Sequence, residues 1–274
     1  MSITNKTLLT AVIGNPIAHS MSPLIHNAIY KNEKTDAVML AFGNPSIEKL
    51  VGAIRALPIH LTAVTMPHKQ TLIPLLDSIS DDAREIGAVN TVLNRDGKLF
   101  GFNTDVTGIA EALKDVQVEN KNVLIIGAGG VAQPIAYHLR NRRAKIFCNN
   151  RDNGQAEDLC KKFNGTVIDA KTMGSMPFDL IINATPIGMP PNTEASPVPK
   201  EIIRPETAVF DVVYSPLETK LMRDAREKGA RVISGLTMFI AQALEQERIW
   251  LGRKIPDSGY TELIKNHLET CKKN

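Results

Sequence analysis

The residues whose types and spacing most clearly could do chemistry form a glycine-rich loop. The loop contains Gly127, Ala128, Gly129, Gly130 and Val131, and with Ala132 it fits G-x-G-x-x-G/A between an apolar run and a helical stretch. In such a loop the first glycine allows a tight turn, the second lets the backbone approach a pyrophosphate, and the last small residue keeps the helix close to the strand. The N-terminus of that helix offers free N–H groups to phosphates. We therefore predict a dinucleotide site here.

The residues after the next predicted strand, Ala144–Asn149, bear on which dinucleotide binds. NAD sites usually place a carboxylate there, which binds the ribose 2′-hydroxyl. This chain instead has the neutral Asn150 and then Arg151, whose guanidinium can pair with a 2′-phosphate, and both favour NADP. The adjacent Asp152 could serve the NAD ribose, so NAD stays open. Thr185 also follows an apolar strand, at the sheet edge where ligands bind, and is a further candidate contact.

Strand-like and helical stretches alternate along the whole chain, which indicates an α/β protein with largely parallel sheets. The first part has predicted strands at Leu9–Gly14, Ala37–Gly43, Leu61–Met66 and Ala88–Leu93, with helices beginning near Pro23, Ser46 and Pro67. Asp96-Gly97 is typical of a hairpin turn.

The second part begins again with a βαβ unit, as a separate domain would. Its predicted strands are Asn122–Ile126, Ala144–Asn149, Phe178–Asn183, Thr207–Val213 and Arg231–Ile233, with a helix over about Gly130–Asn141 and closing helices at Leu236–Leu251 and Ser258–Cys271. We predict a Rossmann-type, doubly wound domain over residues 106–235. Residues 1–105 and 236–274 then form an α/β substrate domain, to which the C-terminal helices return, with the substrate held in a cleft between the domains.

The bulk composition excludes several classes of protein. The 274 residues carry 32 basic and 29 acidic side chains, a net charge of +3, which is too small to indicate nucleic-acid binding. No apolar run reaches the ~20 residues of a membrane span, and the N-terminus lacks the features of a secretory signal. The three cysteines, Cys148, Cys160 and Cys271, lack metal-ligand spacing and are expected to be reduced thiols of a cytoplasmic protein. No metal site is predicted.

Six segments, taken together in order, resemble one family. They are Gly14–Pro23 (GNPIAHSMSP), Val64–Lys69 (VTMPHK), Gly87–Thr91 (GAVNT), Gly101–Asp105 (GFNTD), the Gly127–Gly130 loop, and Gly235–Ala243 (GLTMFIAQA). In this spacing they resemble shikimate dehydrogenase over nearly the whole chain. The resemblance implies reversible, NADP-dependent reduction of 3-dehydroshikimate to shikimate, in the chorismate and aromatic amino-acid pathway. It implies no nucleic-acid or membrane partner, and a monomer or homodimer.

The resemblance also implies roles for individual residues. Lys69 and Asp105 match the catalytic pair, in which the lysine exchanges a proton with the reacting oxygen. The implied substrate contacts are Ser20, Ser22, Thr65, Asn90, Tyr214 and Gln242. Gly235 and Met238 join the glycine-rich loop, Asn150, Arg151, Asp152 and Thr185 as implied cofactor contacts.

Some of these residues have simpler explanations. Ser22 precedes Pro23 and could be a helix N-cap. Asp105 could be the acidic start of a helix. Asn90 interrupts an apolar strand, and its buried amide could bind either a substrate hydroxyl or a neighbouring backbone group. Lys69 is different, because a cation in the first turn of a helix opposes the helix dipole, which favours a functional role.

The chain departs from the family pattern at three positions. Ala63 stands where the family usually has Asn, and Asp152 and Gln155 stand where it often has Thr and Arg. These departures leave open a relaxed quinate/shikimate dehydrogenase that uses NAD or NADP. A methylene-tetrahydrofolate dehydrogenase would need Tyr in place of Thr65. A non-catalytic ligand sensor on the same fold is a further alternative, against which the presence of both Lys69 and Asp105 argues.

Overall fold

The computed structural model describes residues 3–271 and divides the chain into two compact units. Unit 1 extends to Asp105 and resumes over Ile240–His267, and unit 2 covers Val106–Phe239 and the chain from Leu268. The division therefore falls at 239/240, four residues after the return predicted at residue 236. The first turn of the long helix Gly235–Leu251 therefore belongs to unit 2.

Unit 1 is built on a six-stranded mixed sheet. Its strands are β1 (Leu8–Gly14), β2 (Ala37–Gly43), β3 (Leu61–Val64), β4 (Ser78–Ile79), β5 (Thr91–Arg95) and β6 (Lys98–Phe102), in the order β2-β1-β3-β5-β6-β4. The intervening helices are α1 (Ser22–Asn32), α2 (Ile47–Ala56), α3 (His68–Thr71) and α4 (Asp81–Ile86), with a 3-10 turn at Ile73–Leu75. β1 is parallel to β2 and β3, whereas β5 is antiparallel to β3 and β6. One core of unit 1 lies between the sheet and α2.

Local sequence explains several of these boundaries. Ser46 caps α2 by accepting the Lys49 N–H, which satisfies one free donor of the helix. Asp96 and Gly97 both have positive φ, at 53° and 81°, and form the two-residue turn predicted between β5 and β6. The strand predicted at Ala88–Leu93 is shifted, because β5 begins at Thr91 and Asn90 precedes it with its side chain in a polar network.

β3 is shorter than predicted and ends at Val64. Its end lies beside the end of β1, because Thr65 N donates to Ile13 O and Asn15 N donates to Met66 O. Both exits continue through cis peptide bonds, Asn15–Pro16 and Met66–Pro67. The parallel arrangement therefore brings two of the recognised segments, after β1 and after β3, to the same sheet edge.

The remaining elements follow from Asp105. They are α5 (Asp105–Ala112), β7 (Asn122–Ile126), α6 (Ala132–Asn141), β8 (Lys145–Asn149), α7 (Asn153–Phe163), β9 (Thr166–Val167), α8 (Ala170–Ser175), β10 (Leu180–Asn183), β11 (Ala208–Asp211), α9 (Lys220–Glu227), β12 (Arg231–Ser234), α10 (Gly235–Leu251) and α11 (Tyr260–Cys271), with a 3-10 turn at Lys200–Ile202. The sheet of unit 2 has the order β12-β11-β10-β7-β8-β9, and all its pairs are parallel. This is the doubly wound arrangement predicted for the second part.

Both faces of the unit 2 sheet are covered by apolar cores. Alternate residues of β7 enter opposite clusters: Val123 and Ile125 lie in one, and Leu124 and Ile126 in the other. A strand that is buried on both faces requires a continuous apolar run. The strands of the unit 2 sheet could therefore be recognised in the sequence.

Two further features complete the fold. Cys148 and Cys160 are buried free thiols, and the hydrogen bond with Cys160, followed by burial, raises the pKa of Cys148. The side chain of Cys271 lies outside the described residues. Within residues 3–271, no helix is both long and apolar enough to span a membrane.

Candidate functional site

A buried ion pair forms the chemical centre of unit 1. Lys69 Nζ lies 2.6 Å from Asp105 Oδ2, and the two side chains are only 14% and 6% exposed. Lys69 lies in α3, a helix of four residues, and Asp105 is the first residue of α5. The lysine is thus held in a single helical turn by a carboxylate from a distant segment, and in so short a helix Lys69 lies in the last turn as well as the first, so the helix dipole does not oppose it. A buried ammonium with a fixed carboxylate partner can donate and recover a proton.

Asn90 links this pair to its surroundings. Its Nδ2 donates to Asp105 Oδ1 at 2.8 Å and to Thr104 Oγ1 at 3.0 Å, and lies 3.4 Å from Gln242 Oε1. Its Oδ1 accepts the Thr104 N–H at 2.8 Å. The buried amide therefore finds neighbouring protein groups. Both Asp105 oxygens are engaged, one by Lys69 and one by Asn90, so the carboxylate has a fixed orientation.

Two residues of this network were missed as functional candidates. Gln246 Nε2 donates to Asn90 O at 3.2 Å and to Thr91 Oγ1 at 3.0 Å, from one turn after Gln242 on α10. Thr104 bonds Asn90 through both its backbone and its hydroxyl. A polar residue four positions from Gln242, on the same face of a helix, was the available signal for Gln246.

Ser20, Ser22 and Thr65 lie at the carboxyl ends of β1 and β3, where these strands lead into α1 and α3. Ser22 is buried and is the first residue of α1, but the N-cap is Met21 and no side chain caps this helix, so the N-cap explanation of Ser22 is wrong. Ser20 Oγ accepts the Ser22 N–H at 3.3 Å, which leaves the Ser20 hydroxyl proton free for another acceptor. Thr65 is half-buried after β3.

The glycine-rich loop in unit 2 has the geometry that a dinucleotide needs. Gly127 has φ +104°, and a Cβ there would lie 2.8 Å from Thr185 Cγ2. A Cβ on Gly129 would meet nothing within 4 Å, so the backbone there faces open space. Ala132 is fully buried at the start of α6, whose N-terminus has no side-chain cap. A sharp turn, an open approach and uncapped N–H groups together fit a pyrophosphate.

Asn150, Arg151 and Asp152 follow β8 beside this loop. Asp152 is the N-cap of α7: its Oδ1 accepts the Gln155 N–H at 3.3 Å, and its carbonyl accepts Asn150 Nδ2 at 2.9 Å. The Asp152 carboxylate therefore stabilises the N-terminus of α7, and the neighbouring Arg151 is exposed.

The remaining predicted cofactor contacts, and the predicted substrate contact Tyr214, lie near the ends of β10, β11 and β12. Thr185 follows β10, and its Oγ1 donates to Asn183 Oδ1 at 2.7 Å. Tyr214 follows β11 and stacks on Phe239 with ring centroids 4.5 Å apart. Gly235 is so close to the preceding strand that a Cβ would lie 2.2 Å from Val212 O. Met238 is buried against Gly108, where a Cβ would meet Met238 O at 2.5 Å.

Comparison with known proteins agrees with this geometry. The family model described as "Shikimate dehydrogenase substrate binding domain" matches residues 12–92, and the model "Shikimate / quinate 5-dehydrogenase" matches residues 109–191. A "Shikimate dehydrogenase (NADP(+))" of Pyrococcus furiosus is 40% identical over 270 residues, covering 96% of each chain. The chain belongs to the shikimate dehydrogenase family.

Solved structures of family members share the fold. The crystal structure of shikimate dehydrogenase from Aquifex aeolicus superposes with a TM-score of 0.89 at 36% identity, covering 96% of this chain and 100% of that one. Shikimate 5-dehydrogenase from Listeria monocytogenes, solved in complex with shikimate and NAD, gives a TM-score of 0.86 at 33% identity, covering 96% and 98%. The family and the α/β fold with a Rossmann-type unit, both predicted from the sequence, are confirmed.

One feature of the shikimate dehydrogenase fold was not predicted from this sequence. Asp211, the last residue of β11, is fully buried, and burial raises the pKa of its carboxyl to about 6, against the opposing effect of its hydrogen bonds. Asn183 occupies the same position on β10 and pairs with it. A polar residue ending each of two adjacent apolar strands was the available signal.

Proposed function

We propose that this member of the shikimate dehydrogenase family catalyses the reversible reduction of 3-dehydroshikimate to shikimate with NADPH, a step of aromatic amino-acid biosynthesis. The observation that carries the proposal is the buried Lys69–Asp105 pair, 2.6 Å apart and braced by Asn90. Such a pair suits a reaction in which a carbonyl oxygen takes up a proton as it becomes a hydroxyl.

Bound NADPH supplies the hydride that reaches the carbonyl carbon. The Lys69 ammonium donates its proton to the oxygen that develops negative charge, and recovers the proton in the oxidative direction. Asp105 orients the ammonium, because its Oδ2 lies 2.6 Å from Lys69 Nζ. Asn90 keeps the carboxylate from rotating by occupying its second oxygen. Lys69 and Asp105 are thus the catalytic pair.

The substrate carboxylate and hydroxyls are bound by polar groups of unit 1. Ser20 and Ser22 donate to the carboxylate, since hydroxyls are donors and the Ser20 proton is not used by its neighbour. Thr65, Asn90 and Gln242 face the ring hydroxyls. Ala63, buried in β3, supplies no polar contact where the family usually has Asn. Tyr214 contributes the remaining substrate contact.

NADP binds to unit 2, over residues 106–239. The backbone of Gly127, Ala128, Gly129, Gly130 and Val131 would hold its pyrophosphate. Arg151 and Asn150 bind the 2′-phosphate, whereas Asp152 is held as the α7 cap and is a bystander to the choice of cofactor. Thr185, Gly235 and Met238 flank the nicotinamide end.

The wider assignments follow from the family and the composition. The protein acts in the cytoplasm, consistent with its free buried thiols and the absence of a spanning helix in residues 3–271. It is a monomer or homodimer and requires no macromolecular partner.

The decisive test measures initial rates with shikimate and quinate, each with NADP and NAD. We expect strong activity confined to shikimate with NADP. Appreciable rates with quinate or NAD would contradict strict specificity and identify the relaxed quinate/shikimate enzyme. An absence of all four activities, with shikimate still bound in a calorimeter, would favour a ligand sensor.

The cofactor assignment has its own control. Arg151→Ala removes the guanidinium and is expected to raise the KM for NADP without raising that for NAD. Asp152→Asn retains a capping oxygen and should change neither KM. If Asp152→Asn instead weakens NAD alone, then Asp152 binds the ribose.

A further inference from the structure

Asp211 is a buried carboxylate whose partners are all neutral donors. Its Oδ1 accepts Asn183 Nδ2 at 2.9 Å and the Val213 N–H at 3.0 Å, and its Oδ2 accepts Thr219 Oγ1 at 2.6 Å. The side chain is 0% exposed. Because a buried charge is costly, a carboxylate at this position calls for an explanation beyond filling space.

The first oxygen of Asp211 organises the loop after β10. Asn183 Nδ2 also donates to Ile187 O at 3.0 Å, so both its amide protons are used. This fixes the Asn183 oxygen toward Thr185, from which it accepts both the N–H, at 3.1 Å, and the hydroxyl, at 2.7 Å. Thr185 in turn packs against Gly127 of the glycine-rich loop. Asp211 therefore determines how the 183–188 loop sits beside that loop.

The same carboxylate organises the segment after β11. The Val213 N–H is held by Oδ1 directly before Tyr214, whose ring stacks on Phe239. Thr219, held by Oδ2, caps α9 by accepting the Met222 N–H at 3.2 Å. The Asp211 side chain therefore holds the segment 211–219 near both of its ends through hydrogen bonds.

We propose that Asp211 is a positioning residue that sets Thr185 for binding of the nicotinamide end of NADP and Tyr214 for its contact with the substrate. This inference rests on the proposed function, in which Thr185 flanks the cofactor and Tyr214 contacts the substrate. A carboxylate accepts from all three donors at once, whereas an asparagine that keeps its oxygen toward Asn183 and Val213 would turn an N–H toward Thr219, whose hydroxyl would then have to accept instead of donate.

The test compares Asp211→Asn with the wild-type protein in NADP binding, followed by fluorescence, and in steady-state kinetics. We expect the Kd for NADP to rise about tenfold, the loss that corresponds to one hydrogen bond to a charged group. The Kd for shikimate, measured without cofactor, should rise less, since the other proposed substrate contacts, among them the serines and the Lys69 pair, lie in unit 1. Asp224→Asn is the matched control: Asp224 is also buried in unit 2, but it pairs with Lys220.

A purely structural role would lower the thermal midpoint of Asp211→Asn and leave the Kd for NADP as in the wild type, which would overturn the inference. If this variant does not fold, Thr219→Val decides: it removes one donor to the carboxylate and should raise the Kd for NADP, and an unchanged Kd would overturn the inference. Wild-type protein that fails to bind NADP would overturn the proposed function and this inference with it.

Discussion

At the scale of the residue, the chemistry depends on how Lys69 is held. The ammonium lies 2.6 Å from Asp105 with 14% of its side chain exposed, so its position is defined while it stays reachable by a small molecule. Asn90 restrains the Asp105 carboxylate, because its Nδ2 donates a hydrogen bond to Asp105 Oδ1 at 2.8 Å. Proton donation by such a group contributes about 10²–10⁴-fold to a rate, whereas its contribution to substrate affinity is small.

Lys69→Met tests this separation of turnover from binding. We expect kcat to fall by about 10²-fold or more, with the Kd for shikimate little changed, because methionine keeps most of the apolar part of the side chain and removes the ammonium that donates the proton. Stopped-flow rates and calorimetry measure the two quantities. Lys49→Met, at an exposed lysine of α2, is the control. An unchanged kcat in Lys69→Met would remove Lys69 from the mechanism.

At the scale of the element, α10 is attached to unit 1 through buried polar groups. Glu247 on α10 and His26 on α1 are both 0% exposed, with Nδ1 and Oε1 2.5 Å apart. Within the described chain, His26 Nε2 and Glu247 Oε2 have no partner. Burial and the nearby Glu247 carboxylate also raise the pKa of Tyr30. The pair therefore fixes α10 against α1 at a considerable cost in desolvation.

A double-mutant cycle on this pair follows from that cost. His26→Leu or Glu247→Leu alone should lower the free energy of unfolding by about 1–3 kcal/mol, because each leaves its buried partner without their shared hydrogen bond. The double variant should regain most of that loss, since two leucines leave no uncompensated polar group. Urea unfolding of the four proteins measures the coupling. Additive losses would mean that the two side chains stabilise the fold independently.

At the scale of the whole molecule, the two units differ in continuity. Unit 2 is one uninterrupted segment over Val106–Phe239, apart from the C-terminal end of α11, and both its large cores use residues of that segment alone. Unit 1 needs two segments, because α10 supplies Gln242, Gln246 and Glu247 to its polar network. The continuous unit has what independent folding requires.

The isolated segment 106–239 is therefore expected to fold and to bind NADP with a Kd within about tenfold of that of the whole chain. Circular dichroism and cofactor fluorescence measure folding and binding. The same segment with Gly129→Val is the control, since a side chain there meets no protein atom but occupies the open approach to the backbone. It should fold and lose NADP. An unfolded segment, or equal binding by both, would contradict the prediction.

The sequence alone determined what depends on neighbouring residues. Apolar runs such as Asn122–Ile126 could be recognised as buried parallel strands because both faces must be apolar, and the glycine-rich loop could be recognised because its backbone demands are local. Lys69 and Asp105 were found as members of recognised segments. Their pairing was implied by the family resemblance and could not be derived from local sequence, because 36 positions separate them along the chain.

Only the tertiary structure decided which polar side chains face one another. It assigned Asn90 to Asp105, Glu247 to His26 and Asp211 to Asn183, contacts that join different strands or helices. It also showed that Asp152 caps α7, whereas the sequence left open whether Asp152 binds the NAD ribose. A polar residue in an apolar run shows that it must find a partner, since burying it unpaired is costly, but the identity of that partner is set by how the elements pack.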